Sequence, residues 1–254
     1  MEPERLEGGN DAGAIRMGTT VRRPTRVWTP AVHDLLRHLD GKCFAGAPRV
    51  LGFDAEGREI LTYIEGDAVG NRTVWPAWAR SEDALVQAGQ WLRAYHAAVA
   101  DFVPRPGALW RTGETWSPGL IIAHNDASPF NAAWRDGHLA GFFDWDFAGP
   151  ASVESDVGWT AVGWVPLSAW RVAAAEGFPE PADRPRRLRM FLEAYGWRGD
   201  PRVLVAVVQE RMRVRAEEIR RRGALDEALY GRLLRGGVAD DMELAVRELD
   251  ELSF

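Results

Sequence analysis

Cysteine and lysine are almost missing from this 254-residue sequence. Cys43 is the single cysteine, so no internal disulfide can form and no cysteine-rich zinc site is available. The simplest expectation is a reducing, cytoplasmic setting. Five scattered histidines show no zinc-binding spacing either. Long apolar runs are lacking: none approaches the ~18 residues of a membrane helix. The opening MEPERLEGGN has no apolar stretch of the secretory type, so no leader and no membrane partner are expected. Excess positive charge is lacking as well. The formal net charge is −6, which excludes a strongly basic nucleic-acid binder. Lys42 is the single lysine among 31 basic residues, a scarcity that matters for the chemistry below.

What remains is a chain with 46% hydrophobic residues, enough to bury a sizeable core. Its first 66 residues read as short strands around one helix. Ala14–Met17 and Thr20–Arg23 flank a Gly18-Thr19 turn of the II′ kind. Thr29 is placed to cap a helix with Pro30 at its first position, and Val32, Leu35, Leu36 and Leu39 form one apolar face. Arg49–Phe53 and Arg58–Ile64 then flank a second hairpin turn, Asp54 to Gly57. Residues 67–80 read as a linker, and 81–254 as a mostly helical region. Leu85, Ala88, Leu92, Tyr95 and Val99 recur at helical steps over Ser81–Ala100. Val205, Val208, Met212, Ala216 and Ile219 mark a second long helix, and a last helix covers about 239–252.

The informative segment is LIIAHNDASPFNAAWRDGHLAGFFDWD, residues 120–146. A short buried strand leads into His124-Asn125-Asp126, and Asn131 follows five positions after Asp126. Ala132–Arg135 and His138–Phe143 flank Asp136-Gly137, a strong two-residue hairpin signal. In that register Asn131 faces Phe142, and Asp144 lies two residues beyond, roughly 7 Å along the strand. Two carboxylates and a carboxamide around one cavity form a hard-oxygen site of the kind Mg²⁺ shares with phosphates. A carboxylate left free of metal can take the proton of an attacking hydroxyl.

This pattern of His-x-Asp-x-x-x-x-Asn, a hairpin and Asp-Trp-Asp resembles the aminoglycoside phosphotransferase and choline kinase group. The resemblance implies an α+β, two-lobed, protein-kinase-like fold, with a small β-rich N-lobe over 1–66 and a larger helical C-lobe. It implies Mg²⁺-dependent transfer of the γ-phosphoryl group of ATP or GTP to a hydroxyl of a small molecule, antibiotics being one substrate class. Asp126 would be the catalytic base, and Asn131 and Asp144 the metal ligands. His124, Asp146 and Asp156 would support them. Tyr63 to Gly66 would form the interlobe hinge, with Tyr63 and Glu65 at the nucleotide base, and the glycine loop over 8–13 would cover the phosphates.

The family's usual strand lysine, paired with a helix glutamate, has no counterpart here. Arg22 and Arg23 occupy the equivalent strand, with Arg22 the candidate phosphate grip and Arg23 the alternative. Val32, His33 and Asp34 occupy the helix position. This departure motivates a second reading, a kinase-fold binding or immunity protein that sequesters a ligand without turnover. Elsewhere the plainer readings hold. His96 is a packed histidine, His33 and His38 are solvated helix residues, and Arg211–Arg222 is a solvated face. The twelve tryptophans are core residues first. The C-terminal acidic residues, from Asp240 to Glu251, are a solvated helix end.

Overall fold

The computed structural model describes residues 4–6, 13–225 and 227–252. Its N-terminal part is a five-stranded antiparallel sheet. The strands are β1 (Glu4–Arg5), β2 (Ile15–Met17), β3 (Thr20–Arg23), β4 (Val50–Phe53) and β5 (Glu59–Thr62), and their order across the sheet is β1-β2-β3-β5-β4. Helix α1 (Thr29–Gly41) connects β3 to β4. Gly18, at φ +62°, turns β2 into β3, where Met17 opposes Thr20. The expected cap at Thr29 is corrected. Trp28 precedes the helix without a side-chain cap, and the Thr29 hydroxyl accepts the Arg26 N–H at 2.8 Å one turn earlier.

The helical part follows. It comprises α2 (Ala77–Arg80), α3 (Glu82–Val99), α4 (Val153–Trp164), α5 (Trp170–Ala175), α6 (Arg184–Tyr195), α7 (Pro201–Gly223), α8 (Ala228–Arg235) and α9 (Val238–Asp250). Ser81 caps α3 by accepting the Ala84 N–H at 3.1 Å. Helix α3 packs on α6, and α7 packs on α4, α8 and α9. Among the described residues no helix is long and apolar enough to cross a membrane. One hydrophobic core runs through both parts. Leu35, Leu36 and Leu39 of α1 join Leu85, Leu92 and Tyr95 of α3 and the indoles of Trp145 and Trp164.

Two small β-ribbons sit inside the helical part. β6 (Ile121–Ala123) pairs with β9 (Gly149–Ala151), and β7 (Ala132–Arg135) pairs with β8 (His138–Phe142). Asp136 and Gly137, at φ +53° and +79°, form the I′ turn that the dipeptide signals. The expected register is corrected by one residue. A bulge between Ala133 and Trp134 brings Ala132, not Asn131, opposite Phe142. Its cause is a close backbone approach: Gly141, at φ +150°, lies so near Gly46 that a Cβ would meet the Gly46 carbonyl oxygen at 2.6 Å. The bulge draws Asp144 one position nearer to Asn131, whose carbonyl accepts the Phe143 N–H at 2.9 Å.

Candidate active site

Asp126 stands on the loop leaving β6. The loop is held from beneath by Asp156 in the first turn of α4, a fully buried carboxylate that accepts the N–H groups of His124 at 3.2 Å and Asn125 at 2.9 Å. His96 Nε2 adds a third bond to Asp156 at 3.0 Å, and its other ring nitrogen meets the Tyr195 hydroxyl at 2.9 Å. Burial works against ionisation of Asp156, but His96 foremost, with the Asn125 N–H among the further causes, outweighs it and holds its carboxyl below the ordinary range. His124 is buried among Trp145, Trp91 and Phe142. Burial pushes its pKa down to about 4, so the ring is neutral and accepts the Asp126 N–H through Nδ1 at 3.3 Å.

Asn131 is buried at the end of a single 3-10 turn (Pro129–Asn131). Its Nδ2 donates to the Asp126 carboxylate at 2.7 Å and to the Asp126 carbonyl at 2.9 Å, which turns its Oδ1 the other way. Burial, with the Asp144 charge adding, pushes the Asp126 carboxyl up to about 7, while Asn131, Arg211 and Arg215 pull it down. A carboxylate so poised is a competent proton acceptor near neutral pH. Asn125 and Asp144 both adopt the left-handed backbone conformation, at φ +61° and +57°. Asn and Asp tolerate that region better than other residues with a Cβ.

Opposite the loop, Arg23 of β3 reaches three carboxylates at once. Nε donates to Glu59 at 2.5 Å, Nη2 to Asp146 at 2.6 Å and Nη1 to Asp144 at 3.4 Å. Burial alone would depress its guanidinium, but Asp146, Glu59 and Asp144 more than offset it and hold the charge firmly. Glu59 is buried and meets His33 of α1 at 2.6 Å. Burial raises the Glu59 carboxyl, and the His33 bond and Arg23 override it, so the net displacement is downward. Asp146 is pushed up by burial, Arg23 pulls against that, and Asp144 adds to it; Arg111 lies 3.4 Å away on the far side.

These contacts revise two expectations. Arg23, not Arg22, points at the carboxylates, because alternation along β3 sends Arg22 to the other face. His33 is not solvated: it is buried under β5 as the second partner of Glu59. Val32 of α1 packs in the core, and the acid that meets Arg23 comes from the neighbouring strand, β5.

In the segment after β5, the Arg16 guanidinium lies 3.9 Å over the Tyr63 ring, and Arg16 and Arg135 flank Glu65 at 3.8 and 3.6 Å. The Tyr63 N–H is engaged by the Thr19 carbonyl at 2.8 Å. A cavity of about 500 Å³ borders Thr62 to Glu65, with Ala47, Arg49 and Arg135 among its walls, and Asp126, Asp144 and Asp146 do not line it. The glycine loop lies outside the described residues except for Gly13. No cluster of three His, Cys, Asp or Glu residues suited to a metal ion occurs among the described residues. The Asp144 carboxylate and the outward Oδ1 of Asn131 do fit a Mg²⁺ ion, which takes one or two protein ligands when phosphates and water complete its shell.

Residues 107–204 match the model of the phosphotransferase enzyme family. The trifolitoxin immunity protein of Rhizobium leguminosarum bv. trifolii is 36% identical over 198 residues, 75% of this chain and 73% of its own. The chain belongs to the phosphotransferase enzyme family. The fold of this phosphotransferase-family chain is that of a choline/ethanolamine kinase family protein from Mesorhizobium loti, with a TM-score of 0.63 at 17% identity over 99% of this chain and 89% of that one. It is likewise that of the ADP-bound aminoglycoside phosphotransferase APH(2'')-Ib, with a TM-score of 0.61 at 14% identity over 98% and 93%. Both comparisons support the kinase-like, two-part architecture.

Several contributors escape a reading of motifs. Glu59 opposes Arg23 directly in the β3–β5 ladder, so strand register is the signal that finds it. Arg211 of α7 falls on the face that the charge pattern reads as solvated, and this is corrected. It is half-buried against the loop: Nη1 donates to the Ser155 hydroxyl at 3.0 Å and Nη2 to the Asn125 carbonyl at 3.4 Å. Arg111 packs over Phe147 at 4.4 Å beside Asp146. No periodicity announces either arginine.

Proposed function

We propose that this chain is a nucleotide-dependent phosphotransferase that moves a γ-phosphoryl group to a hydroxyl of a small molecule. The observation that carries the reading is the Asp126 carboxylate, hydrogen-bonded to Asn131 and within electrostatic reach of Asp144. Asp126 accepts the proton of the acceptor hydroxyl as that oxygen bonds to the γ-phosphorus and the bond to the departing diphosphate breaks. Asn131 holds the Asp126 carboxylate in place through its amide N–H. Asn131 Oδ1 and Asp144 are the groups that would hold Mg²⁺, which when bound neutralises phosphate charge. Arg23 grips the phosphates in place of lysine, and backbone groups of the Tyr63 to Gly66 segment meet the base. The nucleotide is ATP or GTP, in line with the ADP bound to the aminoglycoside phosphotransferase that shares this fold.

A second reading is favoured by the immunity protein that is 36% identical. In that case the fold binds and sequesters a ligand, with Arg23 locking Asp144 and Asp146 together. Phosphorylation of a toxin hydroxyl would also confer immunity, so turnover is the discriminating quantity. Calorimetric titration of Mg·ATP and Mg·GTP into wild type and Asp144→Ala tests the nucleotide site. Binding in the wild type and its loss in the variant are expected; if the wild type binds neither, the enzyme reading fails. Asp126→Asn is expected to lower acceptor-dependent ADP formation by about a thousandfold or more, in the range general-base loss allows, while leaving nucleotide affinity within a few-fold.

A further inference from the structure

The side of Asp126 facing α7 carries two arginines, and one of them, Arg211, has no ion-paired carboxylate among the described residues. Arg211 and Arg215 lie one helical turn apart on α7, on one face, and both act electrostatically on Asp126. Most arginines along α7 hold carboxylates. Arg213 meets Glu210 at 3.3 Å, Arg220 meets Asp240 at 2.8 Å, and Arg222 meets Glu227 at 2.5 Å. Arg215 itself meets Glu218 at 2.5 Å. Arg211 differs: its hydrogen bonds run to the Ser155 hydroxyl and carbonyl and to the Asn125 carbonyl, and no carboxylate lies within ion-pair distance among the described residues. Its guanidinium stands 4.3 Å over the Trp159 ring. Burial pushes the Arg211 pKa down to about 10, so it still carries its charge at neutral pH.

Four of the C-terminal acidic residues that could have attracted a cation are already paired with arginines. Asp240 and Glu243 bind Arg220, Asp241 binds Arg171 at 2.7 Å, and Glu248 binds Arg184 at 3.2 Å. A polycationic or quaternary-amine acceptor approaching Asp126 would meet the Arg211 guanidinium, which has no carboxylate at ion-pair distance among the described residues, with Arg215 and its Glu218 partner one turn away. A planar guanidinium beside an aromatic face is suited to an oxyanion, which it binds by paired, charge-assisted hydrogen bonds.

We propose that the hydroxyl acceptor carries an oxyanion, a carboxylate or a phosphate monoester, and that Arg211, with Arg215 one turn away, binds that group while Asp126 faces the hydroxyl. This inference rests on the reading of Asp126 as the base that faces the acceptor. It assigns Arg211 as a specificity-determining residue, and it sets this chain's acceptor apart from choline-like and aminoglycoside cations.

The test is calorimetric titration of four probes into the full chain without nucleotide, and again with ADP: N-acetyl-L-serine, glycerol 3-phosphate, choline and kanamycin. At least one of the first two is expected to bind wild type, and which of them binds distinguishes carboxylate from phosphate. Its affinity is expected to fall at least tenfold in Arg211→Gln and at least threefold in Arg215→Gln. Arg211→Lys, which keeps the charge, is expected to retain more binding than Arg211→Gln, which separates a lost charge from a disturbed fold. The inference is overturned if choline or kanamycin binds more tightly than both oxyanions. It is equally overturned if none of the four binds, or if oxyanion affinity is unchanged within twofold in Arg211→Gln. Because this readout needs no turnover, its failure is distinguishable from loss of Mg·nucleotide binding, which bears on the phosphotransferase reading itself.

Discussion

Replacing Arg23 by methionine removes one guanidinium from between three carboxylates. Met is of similar length, so the main loss is charge and hydrogen bonding rather than packing. The Glu59 side chain is 2% exposed and that of Asp146 is 8% exposed, so neither carboxylate can recover full hydration. Glu59 keeps His33, and Asp146 keeps Arg111 at 3.4 Å. Breaking a buried ion pair from one side typically costs about 3–5 kcal/mol, against about 0–1 kcal/mol for an exposed pair. We expect a loss of about 3–4 kcal/mol for Arg23→Met. For a chain of this size that corresponds to a fall in Tm of roughly 10 °C. Glu59→Gln alone is expected to cost about 2–3 kcal/mol, and the double variant to cost less than the sum by about 2 kcal/mol, since each single change strands the other's charge. Urea unfolding of wild type, both singles and the double closes the cycle. An Arg23→Met variant within about 0.5 kcal/mol of wild type, or strictly additive singles, would refute the ionic hub.

Two further outcomes follow from one buried and one half-buried carboxylate elsewhere. Asp156→Ala orphans the His124 and Asn125 N–H groups and His96 Nε2, and is expected to cost about 3–5 kcal/mol in urea unfolding; a cost under about 1 kcal/mol would show that the loop is held by something else. Glu176 is pushed by burial from 4.5 up to about 7, so the folded state binds its proton more tightly than the unfolded one. Its stabilising protonation is fully present below about pH 4.5 and is lost as pH rises to about 7, a fall of roughly 2–3 kcal/mol. Glu176→Gln is therefore expected to be more stable than wild type at pH 8 and equal to it at pH 4; a variant no more stable at pH 8 would contradict the assignment.

How far the chain can be read without coordinates depends on sequence distance. His124, Asp126, Asn131 and Asp144 lie within one loop and one hairpin, so short-range turn chemistry is enough to bring them together. The Asp136-Gly137 turn fixes the far end of that hairpin. The bulge at its near end cannot be read, because it arises from Gly46, some ninety-five positions away, pressing on Gly141. Helices α3, α7 and α9 are legible from their apolar period. That same period misleads at Arg211, since a helix pattern separates core from surface but does not say which surface residue a neighbouring loop will cover. His33 misleads for a similar reason: a polar side chain beside an apolar stripe looks solvated until a partner such as Glu59 is seen beneath it.

The near-absence of lysine and the placement of Glu59 are two aspects of one arrangement. A lysine ammonium is a compact charge on a flexible stem, and an acid on the facing helix can meet it end-on. A guanidinium is a rigid fork whose nitrogens point along different directions, so a single helix acid would leave much of it unsatisfied in a buried site. Arg23 resolves this with Nε on a cross-strand acid and its two Nη atoms on Asp146 and Asp144. Glu59 is its directly opposed ladder partner, which places the acid beside the stem rather than beyond the tip. The helix is then free of the acid's task, and α1 supplies His33 to the second oxygen of Glu59 while Val32 packs inward. Arg23, Glu59 and His33 thus act as one unit. A lysine placed at position 23 without an acid moved onto α1 would leave Glu59 and Asp146 competing for one ammonium.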